Sequence, residues 1–243
     1  FSAGNDGAGS NTVSTPSTAK NIITVGASEN WRQTGTDGCG IGNSGANSLN
    51  DIISFSSRGP VNSSGGDGRW KPEIVAPGTH IQAGVPQSSY SGNGVCNAYW
   101  PSGQTLYGWS SGTSHSTPAV AGGAALVIQD ALNNSLGFPS PAMNKAILVG
   151  SGEYMTGVGA NDTLPSNSQG TGNMDLGRAF DDTPVIRVDQ SVVFGSAGQT
   201  HVESGNVSNG GLPFRVALVW TDAPGPTTGA PFVNDLDLTV TVG

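Results

Sequence analysis

Charge is what this sequence has least of. Asp, Glu, Lys and Arg together make up 11% of its 243 residues, against about 25% in an ordinary globular chain. Nine basic residues form no run and are outnumbered by seventeen acids, for a formal net charge of −8. That balance excludes the basic footprint with which proteins hold nucleic acid or an anionic membrane surface. Long apolar runs are missing too. None reaches the roughly 20 residues that cross a bilayer, and the opening FSAGNDG has neither the basic nor the apolar region of a secretory signal. Either the chain works in the cytosol or its leader lies upstream of Phe1. The sequence shows no internal repeat and no low-complexity tract. Cysteine is down to two, Cys39 and Cys96, both in Gly- and Asn-rich stretches. Such a pair reads as the single disulfide of a secreted protein or as two unrelated thiols, and the sequence leaves both open.

What the chain has in abundance is turn-forming residues, 38 Gly and 15 Pro, the mark of a compact, loop-rich protein. Its length suits one large domain or one and a half, enough to bury a substantial core. Short apolar runs at 21–26, 52–55 and 72–78 predict buried strands, the last stopped by Pro77-Gly78. A helix is predicted to start near Ser114, which can cap it. Pro118 would fall in its first turn, and Val120, Ala124, Val127, Ile128 and Ala131 would form its inner stripe. The other face is apolar as well, so burial on all sides is expected. A second helix is predicted over 141–149, after Pro139-Ser140-Pro141. Beyond about Asp182 the pattern changes. Strand-like runs at 185–188, 191–194, 214–220 and 236–240 follow one another with turn residues between them and no helical period. The expectation is an α/β portion over 1–182 and the start of an all-β, jelly-roll-like module over 183–243.

One segment, GWSSGTSHSTPAV at 108–120, carries two overlapping serine patterns. Gly108-Trp109-Ser110-Ser111-Gly112 fits the G-x-S-x-G elbow of α/β-hydrolases, which needs a helix immediately after its serine. Ser111-Gly112-Thr113 is a poor first turn, so Ser110 comes several residues too early. An esterase built on Ser110 would still find an acid, Asp181, and a base, His201, in the right chain order. Ser114 stands at the predicted helix entrance, where free N–H groups and the positive end of the helix dipole favour developing negative charge. A serine that only caps the helix would look the same.

The neighbouring residues shift that balance. Gly112-Thr113-Ser114-His115-Ser116-Thr117-Pro118, running on to Gly122, resembles the nucleophile block of subtilisin-like (S8 family) serine proteases. Ser2-Ala3-Gly4-Asn5-Asp6-Gly7 resembles the family's oxyanion block, and Ile23-Thr24-Val25-Gly26-Ala27 the strand that follows it. Phe55-Ser56-Ser57-Arg58-Gly59-Pro60 and Lys71-Pro72-Glu73-Ile74-Val75-Ala76-Pro77-Gly78 resemble the next two blocks, all in family order across residues 1 to about 180. Leu218-Val219-Trp220-Thr221-Asp222 and Val233-Asn234-Asp235-Leu236-Asp237-Leu238 further resemble the β-barrel of the KP-43-like alkaline branch.

The resemblance implies a secreted, monomeric serine endopeptidase with a subtilisin-like parallel sheet flanked by helices. It implies extended polypeptide substrates cleaved through an acyl-enzyme on Ser114, with Asn5 as side-chain donor of the oxyanion hole. Ser2, Ala3 and Gly4 would form one wall of the pocket for the side chain before the scissile bond. Catalysis would need no cofactor. Structural Ca²⁺ is implied in the barrel, where Asp222, Asp235 and Asp237 offer hard oxygen donors, although ordinary turn aspartates would look the same.

The same resemblance exposes a gap. The family's catalytic Asp and His precede its oxyanion block, so here both belong upstream of Phe1. Of the three histidines present, His80 follows Pro77-Gly78 and is expected at the surface, and His201 falls in the β-rich segment. His115 is adjacent to Ser114 on the predicted helix and points about 100° away from it. None is placed to take the Ser114 proton, so residues 1–243 alone are expected to be inactive. A non-catalytic, β-rich binding module is the remaining alternative if nothing supplies the two residues.

Overall fold

The computed structural model describes residues 1–243 apart from 63–66, 89–95, 97, 163–165, 208, 228 and 243. Its centre is a parallel pair, β1 (Val25–Ser28) beside β2 (Ile74–Pro77), with Val25 opposite Ile74 and Ser28 opposite Pro77. All four residues of β1 are buried, as an unbroken apolar run in a parallel sheet requires. Parallel bridges extend the layer on both sides, Ser2 to Val25 and Asn173 to Val75. The expected strand at 52–55 is reduced to one antiparallel bridge between Ile52 and Ser28. Beyond it the Ser56 N–H donates to Ile53 O at 3.1 Å and closes a turn. A second, antiparallel sheet holds β3 (Ile81–Gly84), β4 (Ala98–Tyr99) and β5 (Tyr107–Ser110), with β5 in the middle. Buried Trp109 stacks on Trp100 there, with ring centres 4.7 Å apart.

Three helices follow, α1 (Thr113–Asn133), α2 (Pro141–Ser151) and α3 (Leu176–Ala179). The first lies on the parallel layer, where Val120 and Val127 join Val25, Ile74, Ala76 and Leu148 in one apolar cluster. Its buried residues, Thr113, Ser116, Val120, Gly123, Val127 and Ala131, recur at helical spacing. Burial on all sides does not occur: Ala121, Gly122, Ala125 and Leu126 are exposed, because the described chain packs against one face only. Two local expectations also change. Ser114 is the second residue of α1 and not its cap; Gly112 holds the cap position without a side-chain bond. Pro118 is the sixth helical residue, and its missing N–H leaves the Ser114 carbonyl without the usual helical donor. The second helix starts as its sequence indicates, with the Ser140 hydroxyl accepting from Met143 N at 3.0 Å and Pro141 in the first turn.

Beyond residue 182 the structure differs from expectation. The runs at 185–188, 191–194, 214–220 and 236–240 form no strand among the described residues, and the expected jelly-roll-like module is not seen. A strand exists only when a neighbour completes its ladder, and these runs have no described ladder partner. Side chains fasten the segment instead. Lys20 Nζ meets Asp222 Oδ2 at 2.6 Å, and Asn21 exchanges two hydrogen bonds with the Asp222 backbone at 2.8 and 3.0 Å.

Where the parallel layer meets α2, charge is buried. Lys71, only 1% exposed, donates to Ala19 O, Thr24 Oγ1 and Glu73 Oε1 at 2.8, 3.1 and 2.5 Å. The same Glu73 oxygen takes Lys145 Nζ at 2.8 Å, and its other oxygen accepts from Thr24 N at 2.7 Å. Desolvation pushes the Lys71 ammonium down to about 8, against an upward pull from Glu73. An unfolded lysine titrates near ~10.4. Between those values the unfolded chain binds the additional proton, so stability should rise with pH across this window, by at most about 3 kcal/mol. Above it Tyr154, pushed up to about 12 by burial and by Asp162, acts with the opposite sign, because the folded state keeps a proton that the unfolded state releases. Urea midpoints measured from neutral pH to about pH 10 should show the rise, and Lys71→Met should flatten it. A slope unchanged in Lys71→Met would remove Lys71 as its origin.

Candidate active site

The turn between β5 and α1 presents Ser114. After Ser110 the chain passes through buried Ser111 and Gly112, and Gly112 N–H donates to Gly78 O, just past β2, at 2.8 Å. Gly112 has φ +154°, a conformation that L side chains rarely adopt. Ser114 follows two residues later, exposed. Its N–H lies in the first helical turn, where no earlier helical carbonyl is available to it.

Asn5 faces this turn from another part of the chain. Its Oδ1 accepts from Thr113 N at 2.9 Å and from Thr113 Oγ1 at 3.0 Å. The same hydroxyl accepts from Gly4 N at 3.3 Å. With the oxygen end of the amide engaged, Nδ2 is the end left to donate. A Cβ on residue 112 would stand 3.5 Å from Asn5 Nδ2 and 3.8 Å from Ser114 N. Glycine therefore keeps open a small volume bordered by two N–H donors at a helix N-terminus, the geometry that stabilises an oxyanion. Ala3 is fully buried, and the Ser2, Ala3 and Gly4 carbonyls accept from Ser17 Oγ, Ser14 N and Ser57 N. The backbone of these three residues is thus fixed to the rest of the fold.

The histidines have other partners. His80 is not at the surface but fully buried, because residues 32–41 fold over it: its Nδ1 lies 2.6 Å from Arg32 O and its Nε2 2.8 Å from Ile41 O. His201 is exposed and pairs with Glu203 at 2.7 Å. His115 Nε2 meets Ser110 Oγ and not Ser114. Burial pushes the His115 imidazole down, opposed by the charge of Asp37. The esterase grouping does not assemble either: Ser110 is 2% exposed, Asp181 binds Thr183 and His201 binds Glu203.

The three aspartates offered for calcium do not fit it in this arrangement. Asp222 accepts from Lys20 Nζ, Val233 N and the Asn234 N–H groups, and the Lys20 bond leads in holding its carboxyl well below the usual range. Asp235 and Asp237 are exposed, and among the described residues no group of three or more His, Cys, Asp or Glu is arranged to hold a metal.

Of the two readings the sequence left open for its cysteines, the disulfide is the one formed, and it belongs to a layer beneath the turn whose other contacts sequence reasoning missed. Cys39 and Cys96 are bridged, with Cα atoms 4.2 Å apart, and Ser111 N lies 3.2 Å from Cys39 Sγ. Ser111 Oγ donates to Asp37 Oδ2 at 2.5 Å and accepts from His80 N at 3.0 Å. Asp37-Gly38 reads as a turn in sequence, but nothing local indicates a partner 74 positions away.

Comparison with known proteins gives the family of the chain. Residues 1–172 match the model of the Subtilase family, Peptidase S8. The chain is 37% identical over 130 residues to serine protease AprX of Bacillus subtilis (strain 168), covering 52% of this chain and 25% of AprX. It is 32% identical over 166 residues to pyrolysin of Pyrococcus furiosus, covering 65% of this chain and 10% of pyrolysin. Among solved structures, fervidolysin from Fervidobacterium pennivorans, a keratinolytic enzyme related to subtilisin, aligns over 75% of this chain and 22% of its own, at 23% identity and a TM-score of 0.47. The chain thus spans a quarter or less of the length of AprX and pyrolysin. With the family model covering well over half of it, the chain belongs to the subtilase family of serine proteases.

Proposed function

We propose that this chain carries the nucleophile and oxyanion hole of a secreted endopeptidase that cleaves extended polypeptides. Ser114 attacks the scissile carbonyl and forms the acyl-enzyme, and the carbonyl oxygen, as it becomes an oxyanion, is held by Asn5 Nδ2 and Ser114 N–H. The observation that carries this assignment is the open volume at Gly112 bordered by those two donors. A neutral amide suits the task because it donates without holding a proton that must be tuned. Ser2, Ala3 and Gly4 line the pocket for the preceding substrate side chain. The general base and the acid that orients it come from outside residues 1–243, since the described contacts of His80, His115 and His201 all lead away from Ser114. The disulfide is in keeping with an oxidising compartment. Kinship with the KP-43-like branch rests on the motifs at 218–222 and 233–238, as does a β-domain completed beyond them.

Ser110 is the competing nucleophile, since it already bonds a histidine, but it is buried. In the full-length protein, Ser114→Ala should abolish peptidase activity, with a kcat loss of about 10⁶-fold, a magnitude borrowed from subtilisin itself. Asn5→Ala should cost about 10²–10³-fold in kcat with little change in KM, again subtilisin's own value for its side-chain donor. Ser110→Ala should leave kcat within about tenfold, as fits a residue outside the reacting group. Steady-state kinetics on a peptide substrate decide: activity retained in Ser114→Ala and lost in Ser110→Ala would transfer the nucleophile to Ser110.

A further inference from the structure

Only Ser111 and Gly112 separate the end of β5 from the start of α1. Gly112 has no side chain, so any side-chain hold on this turn falls to Ser111. That hydroxyl is fully used inside the protein, donating to Asp37 Oδ2 at 2.5 Å and accepting from His80 N at 3.0 Å. Asp37 is itself fixed, its Oδ1 accepting from Cys39 N and Ile41 N at 2.9 Å each. Asp37, Ser111 and His80 are 5%, 7% and 0% exposed. Among the described residues no Lys or Arg pairs with Asp37, so three hydrogen bonds carry the stabilisation of a buried carboxylate. Such a group is costly to bury, and the one bond that reaches beyond its own loop goes to the nucleophile turn.

We propose that Ser111, anchored by Asp37, is a positioning residue that sets the Ser114 N–H against Asn5 Nδ2, an inference that rests on the roles given above to Ser114 and Asn5. Gly112, next in the chain, has the backbone freedom to rotate α1 relative to β5, and the Ser111 hydroxyl removes that freedom. A shift of about 1 Å at such a site lowers the rate by about 10²-fold without unfolding anything. Asp37 touches neither substrate nor Ser114 and acts only through the turn.

The test uses the full-length protein. Ser111→Ala should lower kcat roughly 10- to 100-fold with KM nearly unchanged, and Ser111→Thr, which keeps the hydroxyl, should recover most of the loss. Asp37→Asn keeps an acceptor for Cys39 N and Ile41 N but offers Ser111 a donor where it had an acceptor. It should reproduce the kcat loss and add little to Ser111→Ala in the double variant. In an Asn5→Ala background, Ser111→Ala should cost far less than in the parent, because the donor it aligns is gone. An unchanged kcat in Ser111→Ala, or equal fold-losses with and without Asn5, would overturn the positioning role. Ser114→Ala is the separate control. Activity persisting there removes the nucleophile assignment, whereas an inactive Ser114→Ala beside a fully active Ser111→Ala removes only the positioning role.

Discussion

The site depends on one clasp, in which Asn5 Oδ1 accepts both the N–H and the hydroxyl of Thr113. It joins segments 108 residues apart and settles which end of the amide faces the open volume. A carboxamide has one accepting and one donating end. When the oxygen is bound by two donors from the helix entrance, the nitrogen is the end left to donate. Thr113 is almost fully buried, so its bonds form away from competing water. An aspartate at position 5 would satisfy Thr113 equally well and have nothing to donate outward, which is why an amide and not an acid is needed there.

The sheet brings the partners of this clasp to one edge. Ser2 bridges β1, and Asn5 follows three residues later. Gly78 follows β2 and accepts from Gly112 N, and the turn that donates this bond leads directly into α1. Asn5 and Gly78 lie beyond the carboxyl ends of parallel elements, where open α/β sheets place their ligand sites. The close approach there leaves no room for side chains: a Cβ on Gly78 would stand 2.4 Å from Ser116 Oγ and 2.6 Å from the Ala27 Cβ. Beneath the clasp, the Asp37–Ser111–His80 layer ties the same turn to a loop stapled by the Cys39–Cys96 bridge. The turn that leads to Ser114 is thus held on one side by Asn5 and on the other by Asp37.

What the sequence made legible was local. The helix at 113–133 follows from apolar spacing, the helix at 141–151 from its Ser140 cap and Pro141, and the strand at 74–77 from an apolar run stopped by Pro77-Gly78, and Ser114 and Asn5 stand in motifs whose order is itself informative. What it hid was nonlocal. His80 looked exposed after Pro77-Gly78, and only the fold shows residues 32–41 closing over it. The role of Asp37 is set by a bond to Ser111, 74 positions on. The apolar outer face of α1 suggested complete burial, yet periodicity reports composition and not whether a second layer is present to cover it. Beyond residue 182, alternation correctly marks residues suited to strands, but strand formation needs partners that periodicity cannot supply. Asp222 likewise reads as a metal ligand until Lys20 and four N–H donors, among them those of Ala223 and Val233, are found on its oxygens.

The central claim is that Ser114, poised beside Asn5, is the group that becomes acylated. A fluorophosphonate reacts with the activated serine of a hydrolase and leaves a stable adduct, so its position identifies the nucleophile independently of any rate. The full-length protein should take up one such group, and mass spectrometry of its peptides should place the adduct on Ser114. An adduct on Ser110, or on another serine while Ser114 stays unmodified, would contradict the account.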